Sequence, residues 1–476
     1  MITRLEIDGF KNLVGFSLNL GPFTCIAGPN SVGKSNIFDA IQFLAFLADN
    51  TLTEAALKIR GADPDTSDIR DLFWTNGTTR RERFRIAVEM VVDGHVHDDF
   101  GRPAESSSTF LRYEIQIRYA PPSSDAGLLG RLVLEEEKLG YITEGDAPKH
   151  MPFPHSAKDF RDSAVKNTRR TQSGFISVRT SEDGKREIVV HQDGGARGPG
   201  QTAPADSAPR TIVGTSNTSA TPTILAARRE MQSWRLLALE PSAMRKPDRF
   251  HTDPHVTVNG GHMPATIHRL ANDAKRKGRD QEDVYAEITG RLSELVSVSV
   301  VSVATDEVRQ LLTLEVTESS GVRLPANSLS DGTLRFLTLA IIAADPEARG
   351  LMCMEEPENG IHPAKIGAMV DLLREIAVNT RVPPGEGNPL RQVIVATHSP
   401  AFVQLQNKDD LVFALEATVR SDDGLQMAVL RCEPLSGTWR AVYTHQSVGL
   451  ATILAYLTAP PGAQLSLPDD EVLSKP

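Results

Sequence analysis

The stretch GPNSVGKS at residues 28–35 constrains the fold most, because it matches G-x-x-x-x-G-K-[ST] at every fixed position. Residues 23–27 before it are apolar enough for a short buried strand. After it, Ile37, Ile41 and Leu44 recur at helical spacing. A strand, a glycine-rich turn and a helix in this order predict a loop that binds the phosphates of a nucleoside triphosphate.

Each part of such a loop has a defined chemical use. Backbone N–H groups surround the β-phosphate, the lysine reaches the β- and γ-phosphates, and the hydroxyl that follows it ligates magnesium. The sequence therefore predicts Ser35 as a magnesium ligand. The predicted nucleotide-binding residues of this region are Gly28, Pro29, Asn30, Ser31, Val32, Gly33, Lys34, Ser35 and Asn36.

A second motif, GLMCMEEPENG at residues 350–360, places three carboxylates directly after an apolar strand. Mutual repulsion raises the cost of ionising them, so a cation is expected nearby. In P-loop ATPases an acid at the end of a neighbouring strand holds magnesium, which predicts that role for Glu355. Glu356 is the predicted general base for an attacking water, because the chain bends at a strand end. Glu358 is expected in the following turn, either as a carboxylate near a helix start or in contact across an interface, and it is not predicted to be catalytic.

A third apolar strand, VIVAT at residues 393–397, is followed by His398. A neutral imidazole at this point could hydrogen-bond the γ-phosphate or the attacking water. Three strand ends that converge on one triphosphate make His398 a predicted catalytic residue.

The segment LSDGT at residues 329–333 begins with a hydroxyl suited to a helix N-cap and leads into an apolar helix. Taken in order with the three motifs above, it resembles the ATP-binding cassette ATPases of the RecF, SMC and OLD-like kind. The resemblance implies ATP and Mg²⁺ as cofactors. It also implies that Ser330 and Gly332 contact the γ-phosphate on a second copy, so that two chains close head to tail. Asp331 stands where many cassette proteins have a second glycine.

The predicted fold class is α/β: a P-loop NTPase of ATP-binding cassette type, with a mixed sheet flanked by helices and an inserted helical and irregular lobe. Residues 237–247 resemble the connector before the helical lobe of prokaryotic AAA-type members, and Gln42, Gln116 and Gln192 remain alternatives for the family's glutamine-bearing loop. The predicted divisions are an N-terminal half of the core at 1–140, a mobile insertion or linker at 141–223, a helical lobe with a β-ribbon at 224–320, the C-terminal half of the core at 321–413, and an extension at 414–476.

Composition narrows the class of partner. The formal net charge of −10 argues mildly against a protein that coats nucleic acid, although local basic faces leave DNA binding open. The three cysteines are too few and too scattered for a disulfide framework, and the sequence contains neither a secretion signal nor a stretch of membrane-spanning length. We expect a soluble, cytoplasmic protein without a membrane partner.

Several functional classes fit poorly. About 295 residues separate Ser35 from Ser330, far more than in transporter ATPase subunits. A structural SMC protein needs long heptad arrays, and none is present in the sequence. Residues 411–417 lack the acid–glycine pair of OLD-like nucleases, so no nuclease is expected.

Two hypotheses remain. The first is an ATPase that forms a homodimer, or a larger assembly of dimers, and serves as sensor or scaffold for a separately encoded effector in bacterial phage defence. The second is a RecF-like DNA-repair or chromosome-maintenance ATPase that acts directly on DNA.

Overall fold

Two large sheets with one helix between them form the centre of the molecule. The computed structural model describes residues 1–59, 68–122, 130–169, 173–181, 184–193, 201–293, 298–420, 424–444 and 446–458. The strands are β1 Ile2–Asp8, β2 Phe16–Asn19, β3 Phe23–Ala27, β4 Arg83–Val91, β5 His95–His97, β6 Pro103–Glu105, β7 Phe110–Ala120, β8 Arg131–Tyr141, β9 Ile176–Thr180, β10 Arg186–Val190, β11 Gln201–Pro204, β12 Arg235–Leu237, β13 Asp248–Arg249, β14 Val298–Asp306, β15 Leu311–Glu318, β16 Arg323–Pro325, β17 Gly350–Glu355, β18 Arg391–Thr397, β19 Leu411–Arg420 and β20 Gln426–Pro434.

The helices connect and cover these strands. They are α1 Lys34–Leu47, α2 Leu52–Leu57, α3 Ala147–His150, α4 Asp162–Ala164, α5 Ile212–Thr215, α6 Pro222–Gln232, α7 Pro241–Met244, α8 Met263–Arg276, α9 Gln281–Ser293, α10 Asp331–Ala344, α11 Ile366–Ile376, α12 Pro400–Gln404 and α13 Leu450–Thr458. The strands and helices predicted around the four motifs are confirmed.

The six-stranded sheet has the order β12-β17-β18-β3-β19-β20, and its first five strands are parallel. Side chains alternate between its two faces, so Ile26, Cys353 and Ile394 pack toward α1 while Cys25 and Met354 pack into a second core with α10 and α11. Because the strands are parallel, the carboxyl ends of β17, β18 and β3 lie side by side at one edge. This is the mixed, helix-flanked sheet expected of a P-loop NTPase.

The second large sheet is antiparallel, with the order β11-β10-β9-β8-β7-β4-β1-β2, and its apolar face packs against α1. β14 and β15, the predicted ribbon, form a smaller sheet with β13 and β16. The six-stranded and the eight-stranded sheets both pack against α1, so the start of that helix has a fixed position relative to the strand ends.

Segment 141–223, predicted as a mobile insertion or linker, contains three strands among its described residues. β9, β10 and β11 continue the antiparallel sheet, and the buried side chains of Phe175, Ile176 and Ile188 attach them to its core. The glycine- and proline-rich composition concealed these few apolar residues, and residues 194–200 of that stretch lie outside the described residues. The division of the chain into domains, and the mobility of the insertion, stay predictions.

A buried carboxyl attaches this segment to the sheet. Glu137 on β8 is fully buried, and its oxygens accept hydrogen bonds from the backbone N–H of Ile212 at 2.7 Å, the N–H of Val213 at 3.0 Å and the hydroxyl of Tyr113 at 3.1 Å. Burial raises the pKa of Glu137 to about 7. The folded chain therefore binds this proton more tightly than the unfolded chain does, and the stabilisation is lost as the pH rises toward 7.

The free energy of unfolding is expected to fall between pH 4.5 and pH 7 by up to about 3 kcal/mol from this group. Glu137→Gln removes the titration, so its free energy of unfolding should depend less on pH over this range. Urea unfolding at several pH values measures both slopes. Equal slopes for the two proteins would contradict the assignment.

Candidate functional site

The glycine-rich loop joins β3 to α1, and two of its residues have backbone conformations that glycine adopts most easily. Ser31 and Gly33 have positive φ angles of 69° and 100°. A Cβ on Gly28 would lie 2.4 Å from the carbonyl oxygen of Ala414 on β19, so only glycine fits there. The loop therefore has the tight turn and the close backbone approach that the motif predicts.

Asn12 fixes this loop to the helix, a role that the sequence did not indicate. Its Nδ2 donates to the carbonyl oxygen of Val32 at 2.9 Å, and its Oδ1 accepts from Nδ2 of Asn36 at 2.8 Å. A Cβ on Gly33 would clash with the Asn12 amide at 2.3 Å. Asn36 thus has a structural contact in addition to its predicted place among the nucleotide-binding residues.

Lys34, the first residue of α1, is largely buried, and its Nζ points back at the loop. It donates to the carbonyl oxygens of Gly28 at 2.7 Å and Pro29 at 2.8 Å. Burial lowers the pKa of Lys34, while the charges of Glu356 and Glu355 oppose that shift. The ammonium therefore lies against the loop and within electrostatic range of the two carboxylates.

The chain turns sharply where β17 ends. Glu355 closes the strand and is exposed, whereas Glu356 has a φ angle of 46° and donates its backbone N–H to the carbonyl oxygen of Ala396 at 2.8 Å. This left-handed conformation is unusual for a residue with a Cβ. The bend directs the Glu356 side chain toward β18, where its Oε1 lies 2.6 Å from Nδ1 of His398. The two predicted catalytic residues are thus in direct contact.

Glu358 lies in a different environment from the one expected. It is only 8% exposed, and its Oε1 accepts a hydrogen bond from the hydroxyl of Thr397. Its Oε2 is buried without a partner among the described residues. Burial, with the charge of Glu356 in support, raises the pKa of Glu358 to about 7. Acidic residues in a turn usually face solvent, so no sequence pattern predicted that this third carboxyl would be buried beside Thr397.

Ser330 and Gly332 lie at the start of α10. The Ser330 hydroxyl caps the helix by accepting from the backbone N–H of Thr333 at 3.2 Å. A Cβ on Gly332 would lie 3.4 Å from the carbonyl oxygen of Gly360, so this N-terminus packs beside the turn that follows the carboxylates. Ser330 itself is exposed and available to a second molecule.

The predicted magnesium ligands are few, as this ion requires when a triphosphate supplies further oxygens. Ser35 is half-buried and Glu355 is exposed, and these two residues carry the oxygen donors that magnesium prefers. In the described part of the chain, no group of three histidine, cysteine or acidic side chains forms a ready-made metal site. Such a donor set fits an ion that arrives with the nucleotide.

The three alternatives for the glutamine-bearing loop have different surroundings. Gln116 lies on β7 and donates to Glu135 at 2.9 Å, and Gln192 follows β10. Gln42 lies on α1, where its Oε1 is buried and unpartnered among the described residues. The choice among them stays open.

Residues 23–89 and 236–404, together about half of the chain, match the family model described as "AAA domain, putative AbiEii toxin, Type IV TA system". Among curated proteins, the chromosome partition protein Smc of Bordetella petrii is 32% identical over 120 residues, which is 25% of this chain and 9% of that protein. Structural maintenance of chromosomes protein 1 of Schizosaccharomyces pombe is 40% identical over 60 residues, 12% of this chain and 5% of that protein. The chain thus spans less than a tenth of the length of these relatives.

Solved structures give weak global superpositions. The Smc head bound to the C-winged helix domain of ScpA has a TM-score of 0.43 at 15% identity, covering 90% of this chain and 97% of that one. The SMC head domain from Thermotoga maritima has a TM-score of 0.36 at 11% identity, covering 91% and 99%. Among the described helices, none combines the length and the apolar character needed to cross a bilayer.

Proposed function

We propose that this chain, which matches the AAA-domain family model over about half of its length, is an SMC- and RecF-like P-loop ATPase that binds and hydrolyses ATP with Mg²⁺ while two copies close head to tail around the nucleotide. The observation that carries this proposal is the meeting of three strand ends at one edge of the parallel sheet. Ala27, Ala396 and Glu355 are at paired or adjacent register positions on β3, β18 and β17. The residues that follow these strands supply a phosphate loop, a carboxylate pair and an imidazole.

In the proposed reaction, the N–H groups of residues 28–33 and Lys34 bind the phosphates, and Ser35 and Glu355 hold the magnesium ion. The ion supplies charge neutralisation at the β- and γ-phosphates. Glu356 takes the proton from the attacking water. The contact with Nδ1 of His398 orients the Glu356 carboxylate, and the second ring nitrogen can then face the γ-phosphate.

The proposed partner of this site is the start of α10 on a second copy. Backbone N–H groups at a helix N-terminus and the hydroxyl of Ser330 are suited to an anion such as the γ-phosphate. The exposure of Ser330 supports this role. Bound ATP would then stabilise the closed pair by mass action.

Ser330→Arg tests this arrangement, because a large side chain at the helix start should block the approach of the opposing γ-phosphate. We expect it to abolish ATP-dependent closure, measured by native mass spectrometry, while a fluorescent ATP analogue still binds to the single chain. Ser328→Arg, two residues before the cap, is the matched control. Unchanged closure of Ser330→Arg would count against a role in trans.

We further propose that the closed pair acts as sensor or scaffold for a separate effector in bacterial phage defence. The basic clusters at residues 80–83 and 275–279 support an indirect relation to DNA, because acidic side chains pair with several of their members. Arg81 pairs with Asp8 at 3.0 Å and Arg83 with Glu135 at 2.9 Å. On the helical lobe, Lys277 pairs with Glu386. These ion pairs reduce the positive charge that is available to a phosphate backbone.

The second candidate function is a RecF-like role in DNA repair or chromosome maintenance. Local identity to chromosome partition proteins favours it, although that identity covers a small part of each relative. The two candidate functions predict different phenotypes in cells. Expression with the neighbouring genes should protect against phage in the first case, and deletion should sensitise the host to DNA damage in the second.

Direct DNA binding can be recognised by how its affinity depends on salt concentration. Fluorescence anisotropy at 50 and 200 mM salt would show a steep loss of affinity if basic side chains contact phosphates. Tight, salt-sensitive binding without phage protection would favour the second candidate.

A further inference from the structure

The residue that replaces glycine in the helix-start segment has a dedicated partner. Asp331 is the first residue of α10, between Ser330 and Gly332, and its side chain is about half exposed. Its Oδ1 accepts a hydrogen bond from Nη2 of Arg245 at 2.6 Å. The same Nη2 donates to the carbonyl oxygen of Leu329 at 2.9 Å. One guanidinium therefore contacts both sides of the Ser330 cap.

A carboxylate at this position has two opposite effects. It favours the helix, because negative charge near a helix N-terminus interacts well with the helix dipole. It opposes an incoming phosphate, because like charges at short range repel each other. The glycine found here in many cassette proteins carries no such charge, so the chain needs a compensating cation for Asp331.

Arg245 is positioned to supply that cation and to stay with α10. It follows α7, whose last residue, Met244, is buried. The Sδ of Met244 lies 3.1 Å from the hydroxyl of Thr338, two turns further along α10. Because Met244 packs against the helix that carries Asp331, the neighbouring Arg245 stays beside that carboxylate.

Arg335, one turn along α10 from Asp331, adds positive charge but makes neither an ion pair nor a hydrogen bond with that carboxylate. Its Nη2 donates to the carbonyl oxygen of Leu239 at 3.4 Å, and the pKa of Arg335 is lowered by burial while the charge of Asp331 opposes that shift. Arg245 therefore makes the direct ion pair, and Arg335 contributes from a greater distance.

The segment that contains Arg245 begins at β12, beside the strand that ends in Glu355. Leu237 of β12 pairs with Met354 of β17, the residue before Glu355. The chain then runs through α7 to Arg245 within eight residues. Residues 237–245 thus link the strand that carries the acids to the helix start that meets the second copy.

We propose that Arg245 is a positioning residue that neutralises Asp331 and holds the start of α10 in a form that accepts the γ-phosphate on the second copy. This inference rests on the proposed function, since it requires closure around ATP. It assigns to the connector a role in the composite site, and it pairs the unusual Asp331 with a specific cation.

Removing the two charges singly and together distinguishes this role of Arg245 from simple structural support. In the full-length chain with Glu356→Gln to slow hydrolysis, Arg245→Ala should raise the ATP concentration needed for half-maximal closure by about tenfold. Binding of a fluorescent ATP analogue to the single chain should stay unchanged. Adding Asp331→Asn, which removes the uncompensated charge, should restore closure to within about threefold of Asp331→Asn alone.

Arg276→Ala is the matched control, because Arg276 is an exposed arginine on α8 that pairs with Asp273 and lies outside the proposed site. It should leave closure unchanged. The inference is overturned if Arg245→Ala closes normally, or if Asp331→Asn fails to rescue it, since a purely structural loss would persist. If Glu356→Gln alone shows no ATP-dependent closure, the proposed function itself fails, and this result is distinct from either of the others.

Discussion

Glu356→Gln is expected to bind ATP normally and to hydrolyse it about a hundredfold to ten-thousandfold more slowly, because the amide keeps the shape of the carboxylate and loses the base. The contact of Glu356 with Nδ1 of His398 at 2.6 Å places this carboxylate beside a second polar group at the strand ends. Uncleaved ATP should then accumulate in a closed pair. Phosphate release gives the rate, and light scattering with and without ATP gives the closure.

Glu287→Gln is the control for this experiment, because Glu287 is a partly exposed carboxylate on α9 that pairs with Arg291 at 2.9 Å. It should hydrolyse ATP at the normal rate. A normal rate for Glu356→Gln would remove Glu356 as the base and would leave its strained backbone, at a φ angle of 46°, without a functional explanation.

Lys34→Ala is expected to lower the affinity for ATP by more than about a hundredfold. The variant loses the ammonium that is proposed to bind the phosphates, and it leaves the carbonyl oxygens of Gly28 and Pro29 without their present donor. Titration with a fluorescent ATP analogue measures the effect. Lys275→Ala, at an exposed lysine of α8, is the control and should bind normally.

Lys34→Met separates the two causes, because it keeps most of the buried stem and loses only the charge. Both variants should bind ATP poorly if the charge carries the affinity. Normal affinity in Lys34→Met would sink the assignment of this loop as the triphosphate site.

The parts of the site that follow from sequence are those with local chemistry. A glycine-rich turn has to lie between a strand and a helix, and parallel strands bring their carboxyl ends to one edge. The positions of Lys34, Glu356 and His398 follow from those two rules.

The parts that the sequence did not reveal depend on contacts between distant residues. Asn12 lies in the turn between β1 and β2 and reaches Val32 in the glycine-rich loop, and Glu358 is buried where Thr397 of the neighbouring strand donates to it. Asp39 similarly reads as a solvated helix residue, yet it is 1% exposed and pairs with Lys11 at 2.6 Å. No local pattern encodes such pairs, since each partner is set by the packing of separate elements.

The insertion shows the same limit. Its composition resembles a linker, but β9, β10 and β11 pair mainly with one another, and β9 meets β8 at the single pair of Leu139 and Ile176. Composition alone underestimates order where short strands pair with each other and a few apolar side chains attach them to a core.

Mixing two inactive chains tests the composite site most directly. Lys34→Ala lacks a working phosphate loop and keeps Ser330, whereas Ser330→Arg keeps the loop and lacks the helix start. With Glu356→Gln in both chains, a head-to-tail pair of the two has one intact site. Native mass spectrometry with ATP should show a heterodimer that carries one ATP, while neither chain closes on its own. A mixture that yields no more dimer than the separate chains would contradict the account.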